Sequence, residues 1–122
     1  MSLQPVPIQN VPGVPDYTCT AFLPKSSDYC LLIPVINEGA RILTELGRAQ
    51  KAGVDRLVDI VICDGGSTDG SMNPDTLELY GVNTLLVKTG PGKQGAQLRM
   101  GLHFALTFGY KGVLTIDGNN KD

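Results

Sequence analysis

Two stretches decide the fold, CLLIPVINE at residues 30–38 and LVDIVICDGGSTDG at residues 57–70. Each begins as an apolar run, and residues 30–35 are apolar on both faces, as a strand must be when helices cover both sides of its sheet. Each then becomes polar, and the second contains two adjacent glycines and short polar side chains that favour a turn and can cap a following helix. These patterns predict buried strands that end in polar loops.

The same alternation continues on both sides of these stretches. Residues 84–87 and 113–116 are further short apolar runs that predict strands. Between the strands lie helical patterns: Ile42, Leu43, Leu46 and Ala49 recur at helical spacing before a stop at Gly53, and a later apolar stripe comprises Leu98, Leu102, Ala105 and Phe108. Strands that alternate with helices predict an α/β, Rossmann-like, doubly wound parallel sheet with right-handed crossovers.

The first 28 residues differ in composition from the rest. Five of the eight prolines fall before Lys25, and proline lacks the N–H donor that regular structure needs. We therefore predict an extended leader over residues 1–28 and one α/β domain over residues 29–122.

Composition excludes several classes of protein. A net charge of −2 gives no electrostatic footprint for nucleic acid or anionic lipid, which favours small-molecule partners. The three cysteines are widely spaced without a CxxC pair, so no disulfide framework or zinc site is expected, and a cytoplasmic location fits best. No apolar run is long enough to span a bilayer.

Polar clusters follow all four predicted strands of the domain. The carboxyl ends of parallel strands share one rim of a sheet, and ligands bind there. Glycines in the clusters allow close backbone approach, carboxylates can accept from a base or ribose, and Lys93 and Arg99 near a helix start suit phosphate. The expected nucleotide-binding residues are Pro34, Val35, Asn37, Glu38, Asp64, Gly66, Lys93, Gln94, Arg99, Asp117 and Gly118.

Each cluster also has a plain structural interpretation. Glu38 and its neighbours could cap a helix, the cluster after Asp64 could be a tight capped turn, and the cluster after Asp117 could be an Asx turn. Lys93 and Arg99 could belong to a solvated helix start. His103 is expected to be a partly buried, satisfied side chain.

The glycine-rich loop supports a second candidate function. Gly90, Gly92 and Gly95 match G-x-G-x-x-G after a strand, and Asp117 follows roughly 20 residues later, as in a dinucleotide-binding fingerprint. A dinucleotide domain normally carries this loop after its first strand, whereas here it follows the third. A nicotinamide-dependent oxidoreductase is therefore the second hypothesis.

Taken in order, the four clusters resemble the N-terminal half of the inverting family 2 glycosyltransferases of GT-A fold, which include polyprenyl-phosphate sugar transferases. The resemblance extends from Tyr29 to Asp122. It implies that residues 33–38 lie under the nucleoside, that Asp64 contacts the base, and that residues 92–101 lie beside the nucleotide. It also implies a nucleoside-diphosphate-sugar donor and an Mg²⁺ or Mn²⁺ ion held by Asp117 and Asn119.

Several positions depart from that family's pattern. Gly65 stands where many relatives have an acid, Gln94 where a basic residue is frequent, and Asn119 in place of the second acid of D-x-D. A site with one fewer charge should bind the metal more weakly. The resemblance places the general base beyond Asp122, so we expect a truncated, catalytically incomplete chain. A non-catalytic nucleotide-binding module is the third hypothesis.

Overall fold

A computed structural model describes residues 2–5, 14–92 and 94–116 of the chain, with side chains for residues 14–92 and 95–116. The described part contains a six-stranded sheet and four helices. The strands are β1 (Ser2–Pro5), β2 (Tyr17–Ala21), β3 (Tyr29–Val35), β4 (Asp59–Asp64), β5 (Val82–Lys88) and β6 (Gly112–Thr115). The helices are α1 (Arg41–Lys51), α2 (Val54–Leu57), α3 (Pro74–Leu79) and α4 (Gln94–Thr107).

The strand order is β1-β2-β5-β4-β3-β6. Strands β5, β4, β3 and β6 are mutually parallel, whereas β2 is antiparallel to β5 and β1 is antiparallel to β2. The prediction of an α/β protein is confirmed, and that of a wholly parallel sheet is wrong. The structure is a mixed, mostly parallel sheet compatible with a Rossmann-like fold.

Helices cover the sheet on both faces and divide the core in two. One apolar cluster joins α1 and α3 to the sheet through the buried side chains of Ile42, Leu46 and Leu77. The other joins α4 through Met100 and Phe104. Strands between two apolar layers cannot alternate polar and apolar residues, and this explains the continuous apolar runs in the sequence.

The prediction of an extended leader without regular structure is wrong, because β1 and β2 both lie within residues 1–28. Strand β2 contains no proline, and its threonines and Tyr17 favour a strand. It pairs with β5 from Tyr17↔Lys88 to Ala21↔Thr84. Pro5 is tolerated because β1 is the outer strand of the sheet, where one side of the backbone needs no ladder partner.

The strand predicted from Leu57 begins instead at Asp59. Leu57 ends the short helix α2, and its side chain is 72% exposed. The predicted stop of α1 is confirmed: Gly53 follows the helix with φ 80°, a left-handed conformation that glycine adopts without strain.

The predicted apolar stripe of α4 is wrong in three of its four members. Ala105 is buried, but Leu98 is only half-buried, and Leu102 and Phe108 are 42% and 44% exposed. The buried face comprises Ala96, Gln97, Met100, Gly101, Phe104 and Ala105. Small residues on this face let the helix approach the sheet closely, which large leucine side chains would prevent.

No helix in the described ranges is long and apolar enough to cross a membrane. The three cysteines are free and buried. Burial raises the pKa of the Cys63 thiol, which packs in the core beneath α4.

We expect Gly101→Ala to lower the free energy of unfolding by about 1–3 kcal/mol, because the new methyl group overpacks the core. A Cβ at Gly101 would lie 2.7 Å from Sγ of Cys63 and 2.9 Å from Cδ1 of Leu32. Urea denaturation followed by circular dichroism measures the change.

The matched control is Gly95→Ala in the same helix. Its Cβ would meet only the end of the flexible Arg99 side chain, at 3.2 Å, so the helix preference of alanine should leave stability unchanged or raised. Equal effects of the two substitutions would contradict the close approach of α4 at Gly101.

Candidate functional site

The candidate site lies at the carboxyl ends of the parallel strands, where the direction of the chain connections reverses. From β3 the chain proceeds to β4 and β5 on one side, then returns through α4 to β6 on the other side of β3. In doubly wound sheets the crevice at this reversal is the usual ligand site. The loops after β3 and β4 therefore lie at its edge.

Asn37 joins these two loops. Its N–H donates to Oγ of Ser67 at 2.9 Å, and its Oδ1 accepts from the N–H groups of Thr68 and Asp69 at 2.8 and 3.2 Å. It is the non-glycine residue with positive φ in the described part of the chain, at 46°. Asparagine tolerates this left-handed conformation better than most residues, so its side chain and its backbone both fit the junction.

Asp69 ties the same loops together a second time. Its carboxylate accepts from the N–H of Gly39 at 3.1 Å, and from the N–H and Oγ of Ser71 at 3.0 and 2.5 Å. The hydrogen bonds from Ser71, the hydroxyl first, lower the pKa of Asp69. The loops after β3 and β4 thus form one hydrogen-bonded unit.

Asp64 lies at the end of β4 and is 1% exposed. Its two carboxylate oxygens accept from the N–H of Ser67 at 3.2 and 3.1 Å, and one also accepts from Oγ of Ser67 at 2.6 Å. In this arrangement the carboxylate holds the turn. Its contact with a nucleotide base stays a prediction that would require the turn to change.

The expectation that this cluster caps the next helix is wrong. Helix α3 is capped by Asn73, whose Oδ1 accepts from the N–H groups of Asp75 and Thr76 at 2.9 and 3.4 Å. The hydroxyl of Ser67 is engaged with Asp64 and Asn37, several residues before the helix. Gly66 has φ 101° in this turn, a value that requires glycine.

At the start of α1, Ala40 makes no side-chain cap, and the carbonyl of Glu38 accepts from the N–H of Arg41 at 3.2 Å. The Glu38 side chain is only 6% exposed, and its Oε1 lies 3.5 Å from Nη1 of Arg41. Pro34 and Val35 are buried within β3. Their contribution to a ligand site is therefore the position of the strand end.

Gln97 is a residue of the site that sequence reasoning did not single out. It is 4% exposed, and its Nε2 donates to the carbonyls of Val35 and Cys63 at 2.8 and 2.9 Å. It thereby connects α4 to the ends of β3 and β4. The available signal was its position three and four residues before Met100 and Gly101, which puts an amide on the buried face of the helix.

Arg99 lines a recess at the start of α4, separate from the loops after β3 and β4. This cavity has a volume of about 310 Å³ and is lined by Val14, Pro15, Asp16, Pro91, Ala96 and Arg99. The N-terminal end of a helix carries partial positive charge, and the guanidinium adds a full one. Asp16 brings a negative charge to the same lining, so an anion would bind on the side of the helix end and Arg99. Gly92 precedes the helix with φ 123°.

The remaining predicted site residues lie outside the described part of the chain. They are Lys93, Asp117, Gly118 and Asn119, together with the side chain of Gln94. Within the described ranges there is no group of three or more His, Cys, Asp or Glu residues that could hold a metal ion. The metal site predicted at Asp117 and Asn119 therefore stays a prediction.

His103 is half-buried in α4, as expected, but the expectation of a satisfied side chain is wrong for one of its two ring nitrogens. Its Nδ1 lies 2.6 Å from the hydroxyl of Tyr17, whereas its Nε2 is buried without a hydrogen-bond partner among the described residues. Burial raises the pKa of Tyr17, which keeps its hydroxyl protonated and able to donate.

No protein-family model, curated protein or solved structure matches this chain. Its function must therefore be inferred from the chemistry of the site.

We expect Asn37→Ala to lower the free energy of unfolding by about 1–3 kcal/mol, because alanine removes two hydrogen bonds and disfavours a positive φ. Asn37→Gly removes the same hydrogen bonds but accepts the backbone conformation, so it should be more stable than the alanine variant. Urea denaturation ranks the two, and amide exchange at Thr68 and Asp69 should be faster in both. Unchanged exchange in both variants would contradict the junction described above.

The carboxyl group of Asp69 should titrate below the ordinary range of an aspartate, and Ser71→Ala should raise its pKa. Because the pKa of Asp69 is lower in the folded than in the unfolded protein, its ionised form stabilises the folded loops. This stabilisation is fully present above the unfolded-state pKa, and it is lost as the pH falls through the folded-state pKa. Carbon-detected NMR titration measures the shift. An Asp69 pKa that Ser71→Ala leaves unchanged would rule out the hydroxyl as its main cause.

Proposed function

We propose that this chain binds the nucleotide part of a nucleoside-diphosphate sugar and serves as the donor-binding region of an inverting glycosyltransferase. The observation that carries the proposal is the hydrogen-bonded unit formed by the loops after β3 and β4 at the reversal of the sheet. A rigid polar rim at this place supports a site for a nucleotide, since ligand sites depend on groups positioned before binding.

The described residues suit the two ends of a nucleotide differently. Gly66 has no side chain, so a nucleoside could approach the backbone of this turn closely there, whereas the Gln97 side chain fills the space beside Gly65. Arg99 and the start of α4 favour the negatively charged diphosphate. A phosphate at this helix end would be held by charge and by backbone N–H groups together.

The proposed Mg²⁺ or Mn²⁺ ion would be held by Asp117 and Asn119, whose oxygens are the ligands that such hard cations prefer. When bound, it would neutralise charge on the diphosphate. In the transfer reaction, an acceptor oxygen forms a bond to the anomeric carbon as the bond to the diphosphate breaks, and a base takes the acceptor proton. We assign that base to no described residue.

The oxidoreductase hypothesis receives less support from the topology. The glycine loop follows β5, and β4 lies between β5 and β3, so the loop is two strands from the reversal of the sheet. A dinucleotide fingerprint belongs to the strand at the reversal itself, which here is β3. The loop after β3 has one glycine, Gly39.

We expect the chain to bind UDP or GDP in calorimetric titration, and Arg99→Gln to weaken that binding about five- to fiftyfold through loss of a charged phosphate contact. The matched control is Arg56→Gln. Arg56 is an exposed arginine in α2, just before the amino end of β4, on the opposite rim of the sheet. It should leave nucleotide affinity unchanged.

Three outcomes decide between the hypotheses. Binding of NAD in preference to nucleoside diphosphates would favour the oxidoreductase. Equal affinities for UDP or GDP and for their sugar conjugates, without any effect of Mn²⁺, would favour the non-catalytic module. Absence of binding to any of these nucleotides by folded protein would overturn a nucleotide site altogether.

A further inference from the structure

A second cavity lies on the α4 face near the opposite, amino-terminal rim of the parallel strands. Its volume is about 220 Å³, and residues that line it include Cys19, Ala21, Thr84, Phe104, Phe108 and Tyr110. None of these residues belongs to the proposed nucleotide site. The cavity is therefore a separate feature of the fold.

The cavity follows from the way in which β2 joins the sheet. Helix α4 packs mainly on β3 and β4, whereas β2 lies beyond β5, farther from the helix. Cys19 and Ala21 point to the same face of β2 because strand side chains alternate, and both line the cavity. The space between this part of the sheet and the end of α4 is left as a pocket.

Aromatic rings form one wall of the pocket. The ring centroids of Phe104 and Phe108 are 4.7 Å apart, and those of Phe104 and Tyr110 are 6.1 Å apart. Phe108 and Leu23 line the pocket and are 44% and 48% exposed, so its entrance is apolar as well. An apolar guest would bury this surface, which gives a driving force for binding.

The polar side chains at the base of the pocket are already satisfied. Oγ1 of Thr84 donates to Oδ1 of Asn83 at 2.7 Å, and Nδ2 of Asn83 donates to the carbonyl of Pro24 at 3.0 Å. A guest therefore needs no hydrogen bond at this end. An apolar cavity of roughly 150 Å³ holds benzene, so this volume has room for one ring and a small substituent.

One ammonium group, that of Lys25, lies among the residues that line the pocket. Nζ of Lys25 lies 5.1 Å from the ring centroid of Tyr110 and 3.8 Å from a carboxylate oxygen of Asp28. Nζ of Lys111 lies 3.5 Å from the other oxygen of Asp28, so two ammonium groups share one exposed carboxylate.

Asp59 is the other carboxylate in contact with Tyr110. It is 2% exposed and accepts from the Tyr110 hydroxyl at 2.6 Å, from the N–H and Oγ of Ser26 at 2.9 and 2.6 Å, and from the N–H of Ser27 at 3.4 Å. These neutral donors stabilise the carboxylate behind the ring and leave its formal charge in place. Lys25 is the charged residue that lines the pocket itself.

We propose that this pocket binds a small monocyclic aromatic carboxylate, with its ring against Phe104 and Tyr110 and its carboxylate toward Lys25. The aromatic wall, the volume and the Lys25 ammonium group each match one part of such a molecule.

The first test is an NMR titration of the 122-residue chain with benzoate and with benzyl alcohol, its neutral counterpart of similar size. We expect shifts at the amides of Ala21 and Thr84 with both probes, and tighter binding of benzoate. Lys25→Gln should weaken the binding of benzoate about two- to fivefold, as expected for loss of an exposed charge, and leave the binding of benzyl alcohol unchanged. Lys51→Gln, at the end of α1, is the matched control without effect.

The second test uses Cys19, which is buried at the base of the pocket and whose pKa is raised to about 11 by burial. A small apolar thiol reagent should modify Cys19 in folded protein faster than Cys30 or Cys63, which are fully buried and do not line the pocket. Benzoate should slow that reaction, and the rate should rise with pH toward the raised pKa.

Ala21→Leu, which fills the pocket, should abolish both the benzoate shifts and the protection of Cys19. If that variant fails to fold, Lys25→Gln and the labelling rates still decide. No shift with either probe at millimolar concentration, or equal labelling of the three cysteines, would overturn the proposal. UDP binding should be unaffected by benzoate, so failure here is distinguishable from failure of the nucleotide site.

Discussion

The arrangement of the carboxyl-terminal rim depends on one carbonyl group, that of Val35. Buried at the end of β3, it accepts from the N–H of Gly65 at 2.8 Å and from Nε2 of Gln97 at 2.8 Å. One oxygen thus fixes the loop after β4 and the position of α4 relative to the sheet. A larger residue at Gly65 would crowd this contact, because a Cβ there would lie 3.0 Å from Cδ of Gln97. Since an unpaired buried carbonyl is costly, loss of both donors would destabilise this rim.

The sequence was sufficient to predict the strands of the parallel sheet, because residues buried on both faces leave continuous apolar runs. The prediction failed at β2, because the prolines of the first 28 residues suggested irregular structure although this short strand contains none of them. It failed again at α4, because hydrophobicity alone selects leucines, whereas close packing selected Ala96, Gly101 and Ala105. Helical spacing in the sequence does not show how closely a helix approaches the sheet, and this distance decides which face of α4 is buried.

At the candidate site, the sequence located the strand ends but not the roles of their side chains. Asn37, Asp64 and Gly66 do lie on neighbouring loops, yet Asn37 and Asp64 engage other loop residues. A polar residue after a strand has the same pattern whether it faces a ligand or its own backbone. Gln97 was missed for a related reason, since its acceptors, Val35 and Cys63, are 62 and 34 residues away in the chain.

The buried carboxylate of Asp59 has a consequence for the order of folding. It accepts from Ser26, 33 residues before it, and from Tyr110, 51 residues after it. Closing so long a loop costs chain entropy before the contact returns any stabilisation. During synthesis, a chain that has emerged from the ribosome only as far as the end of α4 exposes Ser26 and Ser27 but not yet Tyr110. The amino-terminal rim is therefore completed late, only after nearly all of the sheet has left the ribosome.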